Sequence, residues 1–220
     1  MKKILFLVLA VIGTASVFAQ NEKYIKAMQP KIAMLDTTRN GAVLLDLSNA
    51  FERIATTEKT QWQAFYYAAL AQTNYGYTKM NGGTMGGADP AVVDPIADKA
   101  EALLVEAEKL SPNNSETFIV RKMILSLHML VDPQSRYMQY GAAGAQALEK
   151  AKSLNPENPR VYLLEGQDKF YTPEQFGGSK AEAKKLFEMA MQKYDSFKPK
   201  SALEPSWGKL TTAYFINQAK

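Results

Sequence analysis

Residues 100–112 read AEALLVEAEKLSP, and residues 144–156 read GAQALEKAKSLNP. Each stretch carries small residues seven apart, Ala100 and Ala107 in one, Gly144 and Ala151 in the other. A large residue, Leu104 or Leu148, stands between them, and a proline, Pro112 or Pro156, closes the stretch. Residues 183–190, AKKLFEMA, repeat the first three marks with Ala183, Phe187 and Ala190, and Asp195 stands where the proline would fall. Steps of four and three residues put all three marks on one helix face. The small residues let that face lie close to a neighbouring helix, the large one fills the hole, and proline ends the helix.

An aromatic residue follows each proline six positions on, at Phe118 and Tyr162. Fuller openings are Trp62-x2-Phe65-Tyr66-x2-Ala69 and Trp207-x2-Leu210-Thr211-x2-Tyr214. Together these marks resemble the tetratricopeptide repeat, W-x2-L-G-x2-Y…A-x3-F…P. The window at Tyr162 has its glycine at Gly166 but Glu165 in place of leucine, and Arg121 and Lys122 both depart from the pattern. The resemblance covers roughly residues 60–220. It implies an all-α, TPR-like solenoid of helical hairpins with a concave face. It places Tyr67, Asn74, Met123, Gln167 and Phe170 on that face, with Arg160 available to a carboxylate. Such arrays commonly hold a peptide or protein there. The expected function is therefore a scaffold or binding protein engaging such a partner. The alternative is a small-ligand receptor serving an envelope transporter.

Spacing departs from the repeat informatively. A regular unit has about 34 residues, whereas Pro112 to Pro156 spans 44. The excess falls between the first and second helix of each hairpin, at Thr78–Lys99, Asp132–Ala143 and Tyr171–Lys180. Those turns share one edge of a stacked array, where insertions build a binding rim as readily as they drift. Phe176, Gly177 and Gly178 in the third are the candidate rim residues. The bland alternative is a tight turn with Phe176 tucked onto the stack, glycines at positive φ, and Ser179 with Glu182 as a capping box. Asp132-Pro133 reads as a helix start, with Arg136 in a structural role.

The other runs of three- and four-residue apolar spacing lie at Lys23–Leu35, which Pro30 would kink, Ala42–Ala55 and Gln61–Tyr75. Further ones are Glu116–Val131, Val161–Phe170 and Trp207–Gln218. Residues 1–19 read as a secretory signal: Lys2 and Lys3, a nine-residue apolar run Ile4–Ile12, and Val17-Phe18-Ala19 before a cut at Gln20. That run is too short to span a bilayer, so no integral membrane segment is expected after cleavage. A short leader ending Phe-Ala-Gln resembles those of Bacteroidota-type Gram-negative bacteria, so a periplasmic or secreted protein is expected. Residues 20–58 form an N-terminal helical cap or degenerate hairpin, and 59–220 the array.

Composition narrows the chemistry. The chain has 220 residues, no Cys and one His. That removes disulfides, thiol nucleophiles and any mechanism needing two histidines. Net charge falls from +4 to +2 without Lys2 and Lys3, which argues against nucleic acid. No cofactor, metal or catalytic activity is expected. His128 reads as packed, Met80 and Met85 as loop residues rather than a copper pair, and Glu165 with Asp168 as a solvated carboxylate face.

Overall fold

The computed structural model describes residues 22–80 and 88–219. The leader, the cut site and Met85 lie outside the described residues. Helix α1 covers 22–37. It is followed by α2 (Gly41–Glu58), α3 (Trp62–Tyr77), α4 (Pro90–Leu110) and α5 (Ser115–Val131). The short α6 (Pro133–Arg136) runs through a π-turn at Tyr137–Gly141 into α7 (Ala142–Leu154). Then come α8 (Pro159–Tyr171), a 3-10 turn at Glu174–Phe176, α9 (Lys180–Ser196) and α10 (Lys209–Gln218). The fold is all-α, and no strand occurs among the described residues.

Local chemistry sets the helix starts. Asn40, Asp89, Asn114, Asn158 and Ser179 each accept a hydrogen bond from a first-turn N–H. Pro90 and Pro159 occupy first-turn positions where no N–H is needed. Asp132 caps α6 through the N–H and hydroxyl of Ser135, as its Asp-Pro pair suggests. Pro30 does not divide α1, which runs unbroken. The first insertion is shorter than spacing implies, because α4 begins at Pro90 and absorbs the last ten of its residues.

Three hairpins follow one another: α3 with α4, α5 with α7, and α8 with α9. Each recurring mark sits where helices touch. Ala100, Leu104, Ala107, Ala151, Ala183, Phe187 and Ala190 are fully buried, and Leu148 nearly so. A Cβ added at Gly166 would lie 2.5 Å from the Phe187 ring, so only glycine lets α8 and α9 approach this closely. Two apolar cores result. One gathers α1 to α5, and the other joins α5, α7, α8, α9 and α10.

Trp207-x2-Leu210-Thr211-x2-Tyr214 does not form the repeat opening that its spacing suggests. Trp207 lies before α10 begins, and Leu210 and Tyr214 are exposed rather than packed. No second helix covers them among the described residues.

Candidate functional site

Side chains of α3, α8 and α9 grip the chain's own segment between α9 and α10, at Leu203, Pro205 and Trp207. The grip is on main-chain carbonyls. Tyr67 donates to Leu203 O (3.2 Å), and Arg160 to Pro205 O (2.8 Å) and Trp207 O (3.2 Å). Tyr194 also donates to Trp207 O (2.9 Å). Trp207 Nε1–H in turn donates to Tyr66 Oη at 2.8 Å. Side-chain donors that hold the carbonyls of alternate residues, here in a segment that turns at 201–204 and again at 207–208, can grip a peptide. Here the peptide is the chain's own strap.

Beneath the strap lies a buried charge pair. Arg160 is fully buried and meets Glu116 two-fold, Nε to Oε2 at 2.9 Å and Nη2 to Oε1 at 2.7 Å. Asn158 donates to Glu116 Oε1 at 2.7 Å and Tyr66 to Oε2 at 3.1 Å. Burial works against the Arg160 cation, but Glu116 outweighs it and holds the guanidinium above its ordinary pKa. Burial also pushes the Tyr67 phenol well up, so it stays a donor.

The concave-face residues inferred from the repeat thus meet different fates. Tyr67 and Arg160 are covered by the strap and engaged within the chain. Asn74, Met123 and Gln167 are half-buried on α3, α5 and α8. Phe170 packs among Tyr171, Phe187 and Phe215 with ring centroids 5.2–6.4 Å away.

Two shallow, open surface clefts carry exposed aromatic side chains. The first, about 450 Å³, is the rim cleft. Tyr137 of the second insertion and Phe176 and Gly177 of the third converge over Glu165, Asp168, Lys169, Thr172 and Leu186. Phe176 is 73% and Tyr137 63% exposed, so Phe176 is not tucked onto the stack. Gly177 has φ +88°. Gly178 is buried against the Thr172 carbonyl, where a Cβ would collide. Ser179 caps α9 through Glu182 N–H, but Glu182 pairs with Lys169 at 2.8 Å instead of closing a capping box. Glu165 pairs with Lys152 (2.8 Å) and Asp168 with Lys122 (2.7 Å).

A clamp on α4 pins the second insertion. Arg136 meets both oxygens of Asp94, at 2.7 and 2.9 Å. Nearly buried His128 sits between Asp94 (3.1 Å) and Asp98 (3.4 Å), stacked on Tyr140. Arg136 holds the Asp94 carboxyl below its usual range. A carboxyl lowered in the folded state stabilises above its unfolded pKa, about 3.9, and loses that contribution as pH falls through its folded value. Asp94→Asn is expected to cost about 1 kcal/mol at pH 7. The gap to the parent should narrow in urea titrations below about pH 4; a gap unchanged there would refute the clamp.

The second cleft, about 390 Å³, lies between the α1–α2 turn and α10. Arg39, Leu210, Thr211, Tyr214 and Phe215 line it. Leu210 is 61% and Tyr214 58% exposed, and half-exposed Tyr171 adjoins them with its ring 5.8 Å from Phe215. Burial, then the neighbouring Tyr214, raise the Tyr171 phenol. Arg39 donates to the carbonyls of Asp36 (3.3 Å) and Thr38 (2.8 Å) and to the Thr211 hydroxyl (3.4 Å). It makes no salt bridge among the described residues, and no carboxylate lines this cleft. Nothing in the sequence marks the cleft. The Leu210 and Tyr214 spacing reads as repeat packing, and Arg39 is 172 residues from Thr211.

No protein-family model and no curated protein sequence matches the chain. Among solved structures, it is similar to the HusA haemophore from Porphyromonas gingivalis. The two are 32% identical with a TM-score of 0.77, over 90% of this chain and 92% of that one.

Proposed function

The chain belongs to the family of the HusA haemophore from Porphyromonas gingivalis, and on that premise we propose that it is an exported, non-catalytic carrier of a flat cargo of the haem class. The observation that carries the reading is the division of the surface. Tyr67 and Arg160, two of the residues that the repeat offers to a peptide, are engaged by the chain's own Leu203 and Pro205. The clefts of 390 and 450 Å³ are of small-molecule size, with Tyr214 exposed in the first and Tyr137 and Phe176 in the second. A porphyrin offers two aromatic faces that such rings can cover. The hairpins are read as degenerate tetratricopeptide units, on the strength of the recurring small–large–small–proline pattern. Export to the periplasm or beyond rests on residues 1–19. No helix among the described residues is long and apolar enough to cross a membrane.

Neither cleft presents a thiolate or an imidazole to a metal in the cargo, which leaves the phenols of Tyr137 and Tyr214. There is no Cys. His128 is held between Asp94 and Asp98 and lines neither cleft. What the clefts offer is ring surface, phenol hydroxyls and, in one of them, an unpaired guanidinium.

Titrating haemin into the chain from Gln20 onward should give a saturable change in the Soret band. At a hundredfold excess over Kd, binding contributes about 2.7 kcal/mol, which for a chain of this size raises the thermal midpoint by roughly 5–10 °C. A spectrum that merely adds to that of free haemin at every ratio, with no thermal shift, would exclude the reading.

A further inference from the structure

We infer that the seat of the cargo is the cleft between the α1–α2 turn and α10, and that Arg39 anchors a carboxylate at the edge of a flat aromatic ligand lying on Tyr214 and Leu210. The inference rests on the carrier reading above and adds to it the site and the part of the ligand that is recognised.

Charge separates the two clefts. The rim cleft is lined by the carboxylates of Glu165 and Asp168, and its one amine, Lys169, is already held by Glu182 and by Gly177 O at 3.2 Å. Glu165 and Asp168 are in turn paired with Lys152 and Lys122, so a ligand carboxylate would find every charged group there already matched. The α10 cleft carries no acidic side chain. Its single charged group is Arg39, whose guanidinium touches only neutral acceptors. Such a group binds a carboxylate without first giving up another, which makes the new charge-assisted bond a net gain.

The apolar surface points the same way. Leu210 and Tyr214 stand one helical turn apart on α10, on an uncovered face, and both are more than half exposed. Beneath them Tyr214 meets Phe215 edge-on at 5.4 Å, and Phe215 stacks on Phe187 at 5.0 Å. The exposed rings are therefore backed by a packed aromatic column and already ordered, which lowers the entropic cost of binding. The cleft exists only because the strap returns α10 to the N-terminal hairpin, where Gly208 N–H meets Asp36 at 3.4 Å and Arg39 meets Thr211.

The test compares haemin with its dimethyl ester, which keeps the ring and lacks the negative charge. The parent chain is expected to bind the ester roughly tenfold more weakly. Arg39→Ala should weaken haemin by about the same factor and bind both forms alike. Arg39→Lys should keep most of the preference, because it keeps the charge. Tyr214→Ala should weaken both forms roughly tenfold, whereas Leu110→Ala, an exposed apolar change on α4 outside both clefts, should alter neither. Thermal midpoints of the unliganded variants should stay near the parent's, since these side chains are exposed. Saturable haemin binding that Arg39→Ala and Tyr214→Ala leave intact, or that Phe176→Ala abolishes instead, overturns this seat while the carrier reading stands. Absence of saturable binding by the parent overturns both.

Discussion

Arg160→Ala is expected to destabilise the fold by about 3–5 kcal/mol, because it strands a buried charge rather than simply deleting a contact. Glu116 would stay buried with one amide and one phenol donor in place of a two-point guanidinium. The carbonyls of Pro205 and Trp207 would also lose their shared donor. At roughly 2–4 °C per kcal/mol for a domain of this size, the thermal midpoint should fall by about 6–20 °C. A double change, Arg160→Met with Glu116→Leu, should recover much of the loss, since a buried ion pair and an apolar pair of similar volume are often close in energy. Urea denaturation of the two single variants and the double variant measures the coupling. Additive losses, or a single loss below about 1 kcal/mol, would show the pair to be peripheral.

Trp207→Ala acts on the strap from the other side and should cost about 3 kcal/mol. The ring sits 5.5 Å from the Arg160 guanidinium, packs on both apolar cores and donates to Tyr66. Without it the strap keeps its carbonyl grips but loses its anchor, and the strap is what positions α10. Amide exchange should therefore quicken across 209–218 while the middles of α3 and α5 stay protected. Haemin affinity should fall with it, although Trp207 lines neither cleft. Uniform quickening through the whole chain would mean that α10 is not a separable unit.

The hairpins were legible because they rest on short-range spacing. Ala100, Leu104, Ala107, Ala151, Ala183, Phe187 and Ala190 are spaced by helical geometry, and all are buried. Asp132 and Ser179 cap the helices that their local sequences suggest. Phe176 and Gly177 line a cleft together with Tyr137 from another insertion. The spacing of Trp207, Leu210 and Tyr214 misleads, since the same three residues serve either a repeat opening or a strap followed by an uncovered helix. Their distinction depends on what lies opposite them.

The sequence by itself determined the helices and their pairing into hairpins, since each follows from residues a few turns apart. Tertiary structure alone decided that Tyr67 and Arg160 hold the chain's own strap, and that Arg39 meets α10. Those contacts join residues 136, 45 and 172 positions apart. Their formation depends on how each hairpin rotates on the next, a small angle summed over the array that no local pattern encodes.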